Sequence, residues 1–241
     1  MGVISPVGND VNTFWSNLCN GVCGIDHIKS FPTDNLPVGI AGIIKDFKAE
    51  EYGMDKPFIR KQDLFTQYGV AAAYQAMKQS GLSSQGENKN IDPFRLGVYF
   101  GSGIGGFATQ YREISKMIED PSGQWISPLF IPTMISNIAA GHIAILNNAQ
   151  GPCLDIVTAC ATSTNAMGEA FRAIRNGYAD AIITGGCENA TIPIGIVGFA
   201  NAKALSRATD PNYASLPFNG NRAGFVMAGG SAALVLEEYE L

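Results

Sequence analysis

Long apolar runs are missing from this 241-residue sequence. No window reaches the ~18 consecutive apolar residues of a membrane span, which argues against a membrane partner. The first ten residues, MGVISPVGND, lack the basic stretch and apolar core of a secretory signal. Positive charge is scarce. Lys and Arg number 16 against 21 Asp and Glu, for a net charge of −5, which disfavours a nucleic-acid partner. Cysteine is also sparse. Cys19, Cys23, Cys153, Cys160 and Cys187 are odd in number and irregular in spacing, so they form no disulfide framework. A reduced, cytoplasmic setting is expected. Cys19 and Cys23 have no second pair nearby to complete the four ligands of structural zinc. Histidine is rarest of all, with only His27 and His142.

What is present suits a globular chain. Hydrophobic residues make up 46% and charged residues 15%, enough to bury a sizeable core. The 28 glycines are scattered through turns and form no low-complexity tract. A single domain over 1–241 is expected, with no linker. Asn9 and Asp10 are candidate caps for a helix to about Asn20. Val38 to Ile44 holds strand-like runs. Leu64 to Ser80 reads as an alanine-rich helix closed by Gly81, and 83–90 as a polar loop. Leu96 to Phe100 reads as a strand, Phe107 to Glu119 as a helix and Pro121 to Pro132 as a loop. Met134 to Leu146 reads as a helix, Leu154 to Ala159 as a strand and Thr162 to Asn176 as a helix. In that last helix Ala166, Met167, Ala170, Phe171 and Ile174 are expected on one face. Ala181 to Thr184 and Ser231 to Leu236 read as strands. This alternation predicts an α/β fold with a mostly parallel sheet, and 154–184 as one crossover unit.

Cys160 falls where the LDIVTA strand gives way to a helix. The first N–H groups of a helix are unpaired and its dipole is positive there, so both favour a thiolate. The same N–H groups can stabilise an oxyanion. Ala159, Ala161 and Ser163 are small and leave the sulfur accessible. Such a cysteine suits acyl transfer, although most free cysteines are small buried hydrophobes. A second motif competes. Gly101, Gly103 and Gly106 satisfy the dinucleotide fingerprint G-x-G-x-x-G. That reading needs an acidic residue about twenty positions on, at the end of a second strand. Glu119 and Asp120 come near, but they end a helix.

The run GPCLDIVTACATSTNAMGEAFRAIRNGYADAIITGGCENA (151–190) resembles the nucleophile segment of the β-ketoacyl-[acyl-carrier-protein] synthases, in particular their elongating type. Segments 2–25, 63–77, 101–106, 137–142, 198–206 and 216–238 agree with that family in order and spacing. The resemblance implies a thiolase-like fold, with this chain as the N-terminal half of a layered α/β/α/β/α arrangement. It implies that Cys160 accepts an acyl group from an acyl carrier protein. Malonyl-carrier would then decarboxylate and attack that thioester, giving a 3-oxoacyl-carrier and carbon dioxide. It further implies that Ile104 and Phe130 line the acyl pocket near a homodimer interface and that Phe199 lies near its mouth. Neither cofactor nor metal is implied. The family's two catalytic histidines, expected in a second half, have no counterpart here. His27 is expected in a loop and His142 on a helix, both outside catalysis, so this chain alone is expected not to complete a condensation. The chain departs from the pattern at Ala223, where the family carries an acidic or polar residue, and at Ala228-Gly229-Gly230, where it carries G-[ED]-G. A polyketide ketosynthase of the same fold, or a non-catalytic fragment, are the alternatives.

Overall fold

Aspartates start three of the first helices. Their carboxylates accept the N–H groups that a helix cannot pair internally. The computed structural model describes residues 1–86 and 89–239. Strand β1 (Gly2–Ile4) leads to α1 (Val11–Cys19), capped by Asp10. Strands β2 (Ile25–His27) and β3 (Ile40–Gly42) pair as a small antiparallel sheet. Asp55 caps α2 (Lys56–Lys61), and Asp63 caps α3 (Leu64–Ser80). Gly81 closes α3 at φ 75°, a left-handed turn that favours glycine. Then follow β4 (Leu96–Gly101), α4 (Phe107–Glu119), α5 (Phe130–Met134), α6 (Ile138–Leu146) and β5 (Cys153–Leu154). The chain continues through α7 (Thr162–Arg175), β6 (Ala181–Glu188), α8 (Pro193–Asn201) and β7 (Gly230–Glu237).

The main sheet has the order β1-β7-β6-β4-β5. β4 pairs in parallel with both β5 and β6, whereas β7 pairs antiparallel with β6 and β1. Four strands therefore share one direction and β7 alone opposes them, so the mostly parallel sheet is as expected. Alternation along the strands feeds two cores. Val98, Phe100 and Ile183 face the core built on α3 and α6. Tyr99 and Ile182 point the other way, toward α7. The α3 helix buries nearly its whole middle, from Phe65 to Ala73, so it lacks a polar face there.

Several boundaries differ from the sequence reading. The helix expected over 134–146 is two helices, because Ile135 is extended at ψ 140° and ends α5. Phe130 opens α5 instead of lying in a loop. Pro132 is tolerated there because the first-turn N–H groups have no helical acceptor anyway. The strand expected over 154–159 pairs only at Cys153 and Leu154. β6 runs four residues past Thr184, and His27 lies in β2 rather than a loop. On α7 the buried stripe is Thr162, Ala166, Ala170 and Ala173, while Phe171 is 58% exposed. Small side chains at i, i+4 and i+7 let α7 lie close on the sheet, and that stripe excludes Phe171. The expected loop 83–90 includes residues 87 and 88, which lie outside the described residues.

Glu113 of α4 fastens the segment after that helix. Its carboxylate is buried and accepts from Ser127 N–H at 3.0 Å, Lys116 Nζ at 2.9 Å and Arg112 Nε at 2.9 Å. Burial alone would raise its pKa. The Ser127 amide, Lys116 and Arg112 outweigh burial and hold the carboxyl at about 2, below the ordinary 4.5. The folded value is depressed, so this stabilisation is complete above pH 4.5 and is lost as pH falls from there through about 2. Glu113→Gln is expected to lose about 2 kcal/mol at pH 7. The difference from wild type should shrink in acid, as urea melts at pH 7 and pH 3 would show. An equal loss at both pH values would refute the assignment.

Candidate active site

Cys160 occupies a single 3-10 turn, Ala159–Ala161, between the end of the β5 segment and α7. Cys160 thus lies just before α7, which begins at Thr162, the residue at which the sequence reading starts that helix. Ala159 stands at φ 51°, left-handed backbone that costs an alanine about 1–2 kcal/mol. Side chains brace that strain. Thr158 N–H donates to Thr162 Oγ1 at 2.9 Å. Asn165 Nδ2 donates to Thr158 Oγ1 at 2.9 Å and to the Ala161 carbonyl at 3.1 Å. The result is a sharp turn that presents Cys160 outward, with an exposed thiol. Among the described residues the Cys160 N–H has no acceptor, so it is free to donate to a ligand oxygen.

Two glycines let this turn close on the sheet. A Cβ on Gly101 would overlap the Ile156 carbonyl oxygen and lie 2.5 Å from Thr162 Cγ2. A Cβ on Gly186 would overlap Ser163 Oγ and lie 3.0 Å from the Gly101 carbonyl oxygen. β4 and β6 are in register at these two residues. A gap two glycines wide therefore opens between β4 and β6, and the segments that flank the Cys160 turn, Ile156 before it and Thr162–Ser163 after it, fill the gap.

Cys160 faces a cleft of about 580 Å³. Ile104 and Phe199 line it. Phe130 does not. It opens α5 and is not among the lining residues. Phe199 packs edge-on against Phe225, with ring centroids 5.5 Å apart. Val226, Met227 and Ala228 complete that wall, so Ala228 and Gly230 of the divergent segment border the cleft. A Cβ on Gly229 would lie 3.2 Å from the Glu188 carbonyl oxygen, and the segment therefore passes close behind the end of β6. The sequence reading missed Phe225, Met227 and Glu188. The first two sit in a segment without regular structure, and Glu188 sits in the GGCEN run, whose contacts only the folded chain reveals.

The turn after β4 is filled by protein. Gly103 N–H donates to Glu188 Oε2 at 2.9 Å, Gly105 N–H to Ser102 Oγ at 2.9 Å and Gly106 N–H to the Met134 carbonyl at 2.9 Å. The N-terminus of α4 is met by a buried carboxylate: Asp63 Oδ2 accepts from Thr109 N–H at 2.9 Å and Thr109 Oγ1 at 2.7 Å. A dinucleotide fold offers these donors to a pyrophosphate. Here each already has a partner. Glu119 and Asp120 end α4, and among the described residues no strand follows them before α5.

The histidines stand elsewhere. His27 is exposed on β2, and His142 of α6 packs edge-on against Phe58 at 4.8 Å. Burial lowers the His142 pKa. Neither lines the cleft. Two carboxyls near the Cys160 turn are raised, each first by burial. Glu188 borders the cleft, and Asp155 accepts from Ser136 Oγ at 2.5 Å.

An exposed cysteine on a strained turn, between a mostly parallel sheet and a helix, fits a thiolase-like fold. Solved structures share the fold. A β-ketoacyl synthase from Burkholderia phymatum superposes with a TM-score of 0.83 at 23% identity, covering 99% of this chain and 58% of that one. A type II polyketide acyl-carrier protein in complex with its ketosynthase, bound to the hexaketide, matches with a TM-score of 0.81 at 27% identity, covering 99% and 57%. The chain belongs to the family described as beta-ketoacyl synthase, N-terminal domain, which matches residues 1–241. It is 44% identical to 3-oxoacyl-[acyl-carrier-protein] synthase 2 of Vibrio cholerae, over 100% of this chain and 57% of that protein. It is 43% identical to the protein of the same name from Staphylococcus aureus, over 100% and 58%. The chain thus spans little more than half the length of these relatives.

Proposed function

We propose that this chain carries the acyl-accepting site of a 3-oxoacyl-[acyl-carrier-protein] synthase of fatty acid elongation. The observation that carries the reading is Cys160 itself, exposed on a strained turn beside an apolar cleft, with its own N–H unpaired among the described residues. The Cys160 thiolate attacks the carbonyl carbon of an acyl-carrier thioester. The developing oxyanion is held by the Cys160 N–H. The bond to the carrier sulfur breaks, and that sulfur leaves as a thiolate that takes a proton from water. The acyl chain then lies along the cleft wall made by Ile104 and Phe199.

Acyl loading is the half-reaction that these residues support. Decarboxylation of malonyl-carrier and attack by the resulting carbanion need donors for a thioester enolate, and neither histidine faces the cleft. In this reading those donors lie in the remaining length of the relatives, and Phe171, exposed on α7, packs against that part. The apolar outer faces of α4 and α5, with Ile114, Ile118 and Ile131 exposed, support a homodimer. Phe130 at the start of α5 then belongs to that interface. The odd cysteine count supports a cytoplasmic setting. The acyl carrier protein in the polyketide complex supports a carrier partner. It also keeps a polyketide ketosynthase as the second reading, although the 27% identity there is well below the 44% shared with the elongating relatives.

The test is to incubate the protein with an acyl-acyl-carrier protein and map the modified peptide by mass spectrometry. An acyl mass gain on the peptide containing Cys160 is expected. No gain, or a gain at another cysteine, would overturn the reading.

A further inference from the structure

Glu188 is the last residue of β6 and borders the cleft, yet acyl transfer to Cys160 as described gives it no task. Its two oxygens face the glycine turn after β4. Oε1 accepts from Ser102 Oγ at 3.1 Å and Oε2 from Gly103 N–H at 2.9 Å. The Ile104 N–H also stabilises the carboxylate. Ser102 is buried, and its hydroxyl in turn accepts from Gly105 N–H at 2.9 Å. One carboxylate therefore orders 102–105 through a short relay. Gly103 is squeezed in the middle. A Cβ there would lie 3.0 Å from Glu188 Oε2 and 3.6 Å from the Ala159 carbonyl oxygen. The turn thus passes between the Glu188 carboxylate and the residue before the nucleophile. Its far end presents Ile104, 36% exposed, into the cleft.

Among the described residues Glu188 makes no ion pair, and burial raises its carboxyl. A half-buried, unpaired carboxylate is costly to keep unless its hydrogen bonds do something. Here they hold a turn whose other side is the nucleophile and whose tip is the acyl wall.

We propose that Glu188 is a positioning residue that sets the cleft wall through the Ser102–Ile104 turn and so determines how well a long acyl chain is accepted at Cys160. The proposal rests on the acyl-loading reading above. The effect is specific to chain length. An acetyl group reaches only the sulfur and the turn beside it. A decanoyl chain must lie along Ile104. When the turn relaxes, the long chain meets a displaced wall and the short one does not.

The test compares wild type, Glu188→Ala and Glu188→Gln in two measurements. The first is the rate of Cys160 acylation by acetyl and decanoyl thioesters of N-acetylcysteamine. Glu188→Ala is expected to slow acetyl transfer about threefold and decanoyl transfer about 30-fold or more, since misplacement by about 1 Å costs up to ~100-fold. Glu188→Gln keeps one acceptor oxygen for Gly103 and should recover part of the decanoyl rate. The second measurement is amide exchange at Gly103–Gly105, which needs no acyl transfer. Exchange there is expected to be faster in Glu188→Ala at an unchanged melting temperature. Equal losses for both chain lengths, or unchanged exchange at those amides, would overturn the proposal. If wild type takes up no acyl group, the functional reading fails, and exchange still decides whether Glu188 holds the turn.

Discussion

Cys160→Ala is expected to abolish acyl uptake while melting at the wild-type temperature. The two outcomes separate because the side chain is exposed. Removing one exposed sulfur buries and uncovers almost nothing, so stability should stay within about 0.5 kcal/mol. Chemistry has no such tolerance, since the thioester must form on that sulfur. The other cysteines are poor substitutes. Burial pushes the Cys187 thiol well up, and the nearby Glu188, Asp155 and Asp63 carboxylates add to that. Cys153 is raised by burial and by Asp155. Both are thiols at neutral pH and weak nucleophiles. Cys19 and Cys23 do not line the cleft. Cys160→Ser should also fail, because a hydroxyl needs a base to activate it and neither histidine faces this turn. Mass spectrometry after exposure to acyl-carrier, alongside a thermal melt, checks both halves. An acyl adduct persisting in Cys160→Ala would remove the nucleophile from this reading.

Gly101→Ala is the second large effect. The strain at Ala159 is tolerated because the chain can close against β4, and it closes at Gly101. An added methyl overlaps the Ile156 carbonyl oxygen, which is backbone and cannot rotate away as a side chain can. It also meets Thr162 Cγ2 at 2.5 Å. Thr162 supplies the oxygen that pins Thr158, so the clash lands on the brace of the strained turn. Overpacking of this kind costs about 3 kcal/mol. The turn moves outward with the strain, and acylation should fall by about 100-fold. Gly186→Ala meets mainly the Ser163 hydroxyl, which can rotate, and should be milder on both counts. Denaturant melts and acylation rates of the two variants check this order. Wild-type acylation by Gly101→Ala would show that the turn is not set by its contact with β4.

Much of the fold was legible along the chain. Leu64 to Ser80 and Phe107 to Glu119 match their helices residue for residue. In the first, a good cap, a run of helix-forming residues and a glycine stop agree with one another. The strand before Cys160 was read too long. Apolar residues at 154–159 carry strand propensity, but a strand needs a partner for its backbone, and β4 supplies one only at Cys153 and Leu154. Beyond Leu154 the chain leaves the ladder, Ile156 closes on Gly101, and Thr158 N–H donates to the Thr162 side chain instead of to a neighbouring strand. The face of α7 was misjudged for a related reason. Periodicity finds an apolar side, whereas the sheet accepts only the stripe small enough to lie close to it.

A cysteine at a strand-to-helix joint, its small neighbours and the resemblance that surrounds it are local properties, so Cys160 could be singled out from the order of residues alone. Which groups meet across the cleft is not local. Ile104 and Phe199 arrive from segments far apart in the chain, and Phe130, expected with them, does not line the cleft. The two glycines that admit the turn lie on different strands, and each looks unremarkable in its own segment. Glu188 is one more charged residue in sequence and meets Ser102 and Gly103 only when β6 comes to lie beside β4. Hydrogen bonds and steric gaps of this kind act over about 3 Å, and only the tertiary structure brings such distant residues within that range.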